Sequence, residues 1–133
     1  MSATAANQDI LTGIETLFPP SQATRRRYKN VTLPVNGFTL RIQSLTEREK
    51  SNYEASVWKP GKTGQEMDPA KIKTSGLRLA ILCVVDSAGN RLLNDTHLVK
   101  MQDWDALDTE HLHKECNRHV GIGTTAVEDL EKN

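Results

Sequence analysis

The chain has 133 residues, which is enough for one domain of ordinary size and too few for two. Seventeen basic residues balance seventeen acidic ones, so the chain lacks the basic excess on which dedicated nucleic-acid binders depend. Two cysteines are too few for a disulfide framework, and the longest apolar run is far shorter than the ~20 residues that span a bilayer. We therefore expect a cytoplasmic protein that has a single aliphatic core and spans no membrane.

Residues 1–24 predict a loosely ordered N-terminal arm. After a small, polar start, the apolar side chains of residues 9–18 follow one side of a short helix. Pro19-Pro20 would end that helix, because proline cannot donate the helical hydrogen bond. A single domain is expected to follow over residues 25–133.

A β-hairpin is predicted next. Two runs of alternating apolar residues, 31–35 and 38–42, flank the pair Asn36-Gly37. Such a pair between alternating runs is typical of a tight turn, because both residues tolerate positive φ. Pro34 cannot donate to a strand ladder, so we expect the first strand to lie at a sheet edge.

Capping motifs predict where the next two helices begin. Residues 46–49 form a capping box, from which a helix should continue to about Trp58. Asp68-Pro69 places an N-cap before a proline at the first helical position, and this helix should reach about Val85. The lysine-, proline- and glycine-rich residues 59–67 between the two helices predict a mobile loop.

The helix that follows Asp68-Pro69 is predicted to be the central one. Its apolar residues occupy most of its circumference, so several neighbours should pack against it. These residues are Leu77, Leu79, Ile81, Leu82, Cys83, Val84 and Val85.

Two further helices are predicted in the last third of the chain. Residues 86–90 form a turn, and Asn94-Asp95 caps a helix to about Gln102. A long helix over 105–120 stops at a glycine, and a second capping box at 125–128 opens a final turn. The fold class predicted from these elements is α+β: an N-terminal β-hairpin packed on a small bundle of about four helices, with helix in excess.

Histidines and a cysteine on the last helix raise the question of a metal site. Cys116 lies about 60° around the helix from both His113 and His119, so three ligands could converge. Structural zinc sites, however, usually draw ligand pairs from two separate elements, and the sequence offers no second pair. The alternative is a helix that turns Leu112 and Cys116 inward and leaves its histidines, including His111, in solvent. We assign no metal ligand and expect no cofactor.

No catalytic motif is present in the sequence. Gly121-Ile122-Gly123 lacks the third glycine and the preceding strand of a dinucleotide-binding fingerprint, and it fits a helix stop. The nucleophile-elbow, Walker and H-E-x-x-H sequences are also absent. We therefore expect a protein that is not an enzyme and has no catalytic residues.

The order of the parts follows the pattern of a known family. The segments that carry the pattern are, in chain order, RIQSLTERE (41–49), RLAILCVVD (78–86), GNRLL (89–93), NRHVGI (117–122) and AVEDLEKN (126–133). Over residues 25–133 this arrangement resembles the tail assembly chaperones of long-tailed, non-contractile bacteriophages and their prophages.

The resemblance implies a non-catalytic role in tail morphogenesis. Such chaperones bind the long, hydrophobic tape measure protein, keep it soluble and help to recruit tail tube subunits. They act in the host bacterial cytoplasm and are not retained in the mature virion. An edge strand and a loop would also offer contacts for a homo-oligomer. The candidate partner-binding residues are Arg25, Arg26, Arg27, Tyr28, Phe38 and Trp58.

The basic segment 25–29 supports an alternative function. Its arginines and Lys29 could contact phosphate, which would make the chain a small phage-encoded nucleic-acid-associated or regulatory protein. A short basic run beside a strand more often protects a sheet edge from aggregation or meets an acidic protein partner. We therefore expect nucleic acid not to be the partner.

Overall fold

The computed structural model describes residues 10, 12–14, 17–18 and 26–122 of the chain. The predicted arm over 1–24 lies largely outside these residues. Arg25 and the second capping box at 125–128 lie outside them entirely.

The predicted hairpin is present in an antiparallel sheet. Strands β1 (Tyr28–Thr32) and β2 (Thr39–Gln43) pair along their whole length, and the two-residue strand β5 (Val84–Val85) pairs with the other side of β2. The strand order is β1-β2-β5, so the prediction that the first strand lies at the edge is confirmed.

The hairpin turn is longer than Asn36-Gly37 predicted. The Leu33 amide donates to the Phe38 carbonyl (2.8 Å), and the Gly37 amide donates to the Leu33 carbonyl (2.9 Å), which closes a four-residue loop. Within this loop, only Gly37 has a positive φ, at 86°. Pro34 explains the difference, because its fixed φ and missing donor suit a turn position better than a ladder position. Residues 33–38 are called the hairpin loop below.

Helix α1 (Glu47–Ala55) begins at the predicted capping box. The Glu49 amide donates to Thr46 Oγ1 (3.2 Å), and the Thr46 amide donates to Glu49 Oε1 (2.9 Å). The helix ends at Ala55 instead of near Trp58, because Trp58 already belongs to the next strand.

Residues 59–67, predicted as a mobile loop, lie mostly in two strands. Strands β3 (Trp58–Gly61) and β4 (Gly64–Met67) form a second antiparallel hairpin that is closed by Lys62 and Thr63. Most of its side chains are exposed, so no apolar alternation marked the strands in the sequence. Gly64, at φ 126°, permits the tight reversal.

The single helix predicted from Asp68 to about Val85 is divided into three elements. Asp68 caps α2 (Pro69–Lys73) as predicted, its carboxylate accepting from the Ala70 amide (3.0 Å). A break at Thr74 separates α2 from α3 (Ser75–Cys83), where Thr, Ser and Gly follow one another and all have low helix propensity. Val84 and Val85 then leave the helix and form β5, as expected of β-branched residues beside a strand.

The C-terminal elements follow the predictions closely. Asn94 caps a 3₁₀ turn (Asp95–His97) that continues into α4 (Leu98–Met101). Helix α5 (Ala106–Val120) is capped by the Asp105 carboxylate and stops at Gly121, whose φ is 92°. Helix exceeds strand in the described residues, so the predicted α+β class is confirmed, with five α-helices where about four were expected.

The core lies where α3 and α5 pack against each other and against the inner face of β2. Ile81 of α3 is 1% exposed, which confirms its predicted place inside the domain. Ile42 from the sheet and Leu112 and Cys116 from α5 complete the contact among buried residues. In the described part of the chain, every helix is too short or too polar to span a bilayer.

Candidate functional site

An apolar groove of about 470 Å³ lies beside the hairpin loop. Three segments that are distant in sequence enclose it: the hairpin loop, Leu92 and Leu93, and the residues at the start of α5. Phe38 is 65% exposed, Val35 53% and Leu92 51%, so large apolar side chains face solvent together at this place. The groove is lined by Leu33, Val35, Asn36, Phe38, Leu40, Val84, Leu92, Leu93, Asp103, Trp104, Asp105 and Asp108.

A buried carboxylate holds the hairpin loop in place. Asp108, in the first turn of α5, is only 3% exposed. Its Oδ1 accepts from the Val35 amide (2.7 Å) and its Oδ2 from the Asn36 amide (3.1 Å). Such charge-assisted bonds offset the cost of burying the carboxylate. Asp108 therefore fixes the backbone that presents Val35 and Phe38 to the groove.

The rim of the groove is acidic. Asp103 and Asp105 are both exposed and line the groove beside Trp104. Asp105 also accepts from the Leu107 amide (2.9 Å) as the helix cap. Neither carboxylate forms a salt bridge with another described residue. An apolar floor with carboxylates that lack a counter-ion at its edge favours an apolar partner segment that carries lysine or arginine.

The described residues of the basic segment 25–29 are engaged with the protein itself. Arg26 contacts Glu49 through two bonds (Nη1–Oε1 2.7 Å and Nη2–Oε2 3.2 Å), which raises the pKa of Arg26 and lowers that of Glu49. Arg27 donates to the His119 carbonyl (2.7 Å), and Lys29 lies 3.3 Å from a Glu115 carboxylate oxygen. A phosphate would have to compete with these contacts, so this arrangement does not favour nucleic-acid binding.

The predicted partner-binding residues that the structure describes do not form one site. Phe38 lines the groove, whereas Tyr28 lies outside its lining, with the Arg41 guanidinium 5.7 Å from the ring centroid. Trp58 is exposed on the β3–β4 hairpin, paired with Met67 across the strands.

The sequence did not reveal Asp108 and Leu92 as residues of a binding site, since Asp108 falls within the predicted helix over 105–120 and Leu92 within the segment GNRLL (89–93). Only tertiary packing brings these residues to the hairpin loop.

The side chains considered as metal ligands have other partners. No group of three or more His, Cys, Asp or Glu residues in the described ranges is arranged to hold a metal ion. The Cys116 thiol is buried, and its hydrogen bond with the Cys83 thiol, together with burial, raises its pKa. His113 Nε2 lies 3.0 Å from Asn117 Nδ2, and His119 Nε2 lies 3.0 Å from the Arg27 carbonyl.

The expectation that the histidines of α5 lie in solvent is wrong, because His111, His113 and His119 are all partly buried. Desolvation is the main cause that lowers the pKa of the His113 and His119 rings. His113 packs against Gly76 of α3, where a Cβ atom would lie 2.7 Å from Nδ1. The helical pattern could not reveal this contact, because it depends on a glycine from another element.

The groove is suited to binding an apolar segment of another molecule. Its exposed Phe, Val and Leu side chains would lose contact with water on binding, and the carboxylates of Asp103 and Asp105 would set the charge of the segment accepted. Comparisons with protein-family models, curated proteins and solved structures find no match for the chain.

Proposed function

We propose that this protein is a non-catalytic phage tail assembly chaperone that binds the tape measure protein in the groove beside the hairpin loop. The observation that supports the proposal is the group of exposed apolar side chains in the groove, centred on Phe38. Full burial of one such side chain contributes ~1.5–3 kcal/mol. Because association and ordering offset much of that gain, each contact with the client is weak.

Weak contacts suit a chaperone that must later leave its client. A long client with many apolar segments binds many copies, and the copies hold it through their number instead of through one tight site. The acidic rim at Asp103 and Asp105 selects segments in which a basic residue flanks the apolar ones. The client remains soluble while tail tube subunits are recruited in the host bacterial cytoplasm, and the chaperone is absent from the mature virion.

The outer edge of β1 supports self-association in this proposal. The Ser44 amide donates to the Arg27 carbonyl, and the Leu33 amide donates to the Phe38 carbonyl, at 2.8 Å each. The backbone groups of Arg27 and Leu33 therefore face the β2 side. Backbone groups alternate in direction along an antiparallel strand. Every second residue of β1, Asn30 among them, therefore turns its N–H and C=O groups away from β2. These groups have no backbone partner among the described residues. An unpaired edge of this kind accepts a strand from a second copy.

Co-expression with the tape measure protein tests the proposed function. The wild-type chain is expected to keep that protein in the soluble fraction. Phe38→Asp is expected to lose most of this effect, because an apolar segment that binds there would remove the new carboxylate from water. Val99→Asp is the matched control, since Val99 is 70% exposed and lies outside the groove. Equal solubility of the client with and without the chaperone would refute the function. Equal activity of the Phe38 and Val99 variants would refute the groove as the binding surface.

A further inference from the structure

A second concave site lies on the side of the domain formed by α1, α3 and residues 91–95. It has a volume of about 270 Å³ and shares no lining residue with the apolar groove. Two arginines, Arg78 and Arg91, line this site, whereas no basic residue is among the described residues that line the groove. The site is therefore separate from the proposed client-binding surface in position and in chemistry.

Arg78 in this pocket lacks part of its hydrogen bonding. Its Nη2 donates to the Ser56 hydroxyl, whereas the buried Nη1 has no hydrogen-bond partner among the described residues. A guanidinium stays charged at any physiological pH, so its burial is costly unless each buried N–H group finds an acceptor. Buried polar groups in native proteins are nearly always satisfied, and an exception of this kind calls for an explanation.

The carboxylates that line the pocket leave Arg78 without a counter-ion. Glu49 is held by Arg26 and by the Thr46 amide, and Asp95 is exposed in the first position of the 3₁₀ turn. In the ranges that the structure describes, Arg78 forms no salt bridge. The Tyr53 hydroxyl does not supply an acceptor through its own proton, since it donates that proton to the Ser75 carbonyl (3.0 Å).

We propose that this pocket binds a single carboxylate group, which accepts a hydrogen bond from Arg78 Nη1 with Arg91 at the mouth. Two arginines and two carboxylates, Glu49 and Asp95, line the pocket, so their formal charges cancel. A monoanionic carboxylate gains the bond to the unsatisfied guanidinium and meets modest repulsion. A phosphate dianion would double both that repulsion and the attraction of the two arginines, so its second charge brings no advantage in a pocket whose formal charges cancel. The carboxylate belongs either to an Asp or Glu side chain of a partner peptide or to a small organic acid.

Titration of the ¹⁵N-labelled full-length protein tests the site. Sodium acetate, a capped peptide with one Glu, and sodium phosphate are added separately, with chloride holding the ionic strength constant. We expect saturable shifts of the Arg78 Nε–Hε signal and of the Asn52 and Ser56 amides with acetate and with the peptide. A stronger response to the peptide identifies a partner side chain as the source, and an equal response identifies a small acid.

Variants separate the site from general effects of charge. Arg78→Met should weaken binding roughly tenfold or more, which is the loss expected for one charge-assisted hydrogen bond. Arg48→Met is the matched control, because Arg48 is exposed on α1 and outside the pocket. Should Arg78→Met not fold, Arg78→Lys tests the same point, since lysine keeps the charge and loses the planar fork. Absence of saturation with both carboxylates, saturation with phosphate alone, or equal binding by the Arg78 and Arg48 variants would overturn the proposal.

Discussion

At the scale of single residues, Asp108 links the helical part of the domain to the hairpin loop. Its two carboxylate oxygens accept hydrogen bonds from the backbone amides of Val35 and Asn36 in the hairpin loop. The same carboxylate therefore stabilises the fold and shapes the groove. A residue in such a position is expected to influence client binding without touching the client.

The Asp108→Ala variant should show both effects. Removal of the carboxylate leaves two amides without their charged acceptor, and we expect the free energy of unfolding to fall by about 2–4 kcal/mol. In the variant, amide hydrogen exchange at Val35 and Asn36 should accelerate more than exchange at the amides of the sheet does. Urea denaturation measures the first effect, with Asp103→Ala as a control that should change stability by less than about 0.5 kcal/mol. If Asp108→Ala lowered the free energy of unfolding no more than Asp103→Ala does, the Asp108 carboxylate would not hold the loop.

At the scale of elements, the sequence allowed helix starts to be predicted better than helix ends. Thr46, Asp68 and Asn94 all cap helices as predicted, because a cap is a local hydrogen bond. The ends of α1 and α3 depend on competing strands instead. Val84 leaves its helix because the edge of β2 offers it a partner, and no local pattern contains that information.

The capping box of α1 provides a test at this scale. Thr46→Ala removes the acceptor of the Glu49 amide and should cost ~1 kcal/mol of stability. Thr46→Ser keeps the hydroxyl and should remain close to wild type. Thermal unfolding of the three proteins side by side measures the difference, and an alanine variant as stable as the serine variant would show that the cap contributes nothing.

At the scale of the whole molecule, the fold class was predictable and the groove was not. Periodicity and caps were enough to predict a hairpin and several helices around a buried Ile81. The groove, by contrast, joins the hairpin loop, residues 92–93 and residues 103–108, whose proximity depends on how α5 packs across the sheet. Of the predicted partner-binding residues that the structure describes, Phe38 alone lines the groove.

The packing of α5 also makes the stability of the molecule depend on pH. His113 is desolvated against α3, and His119 is desolvated where it meets the Arg27 carbonyl, with Arg27 and Lys29 lowering its pKa further. Both folded pKa values lie below the ordinary value of 6.5, so the unfolded chain binds more protons as the pH falls. The stability gained from the neutral rings is complete above about pH 6.5 and is lost as the pH falls through the folded pKa values.

We expect the urea midpoint to drop between about pH 7.5 and about pH 5.5. The double variant His113→Gln/His119→Gln should drop less over the same range. A midpoint that stays constant over this range in the wild-type protein would contradict the burial of the two rings.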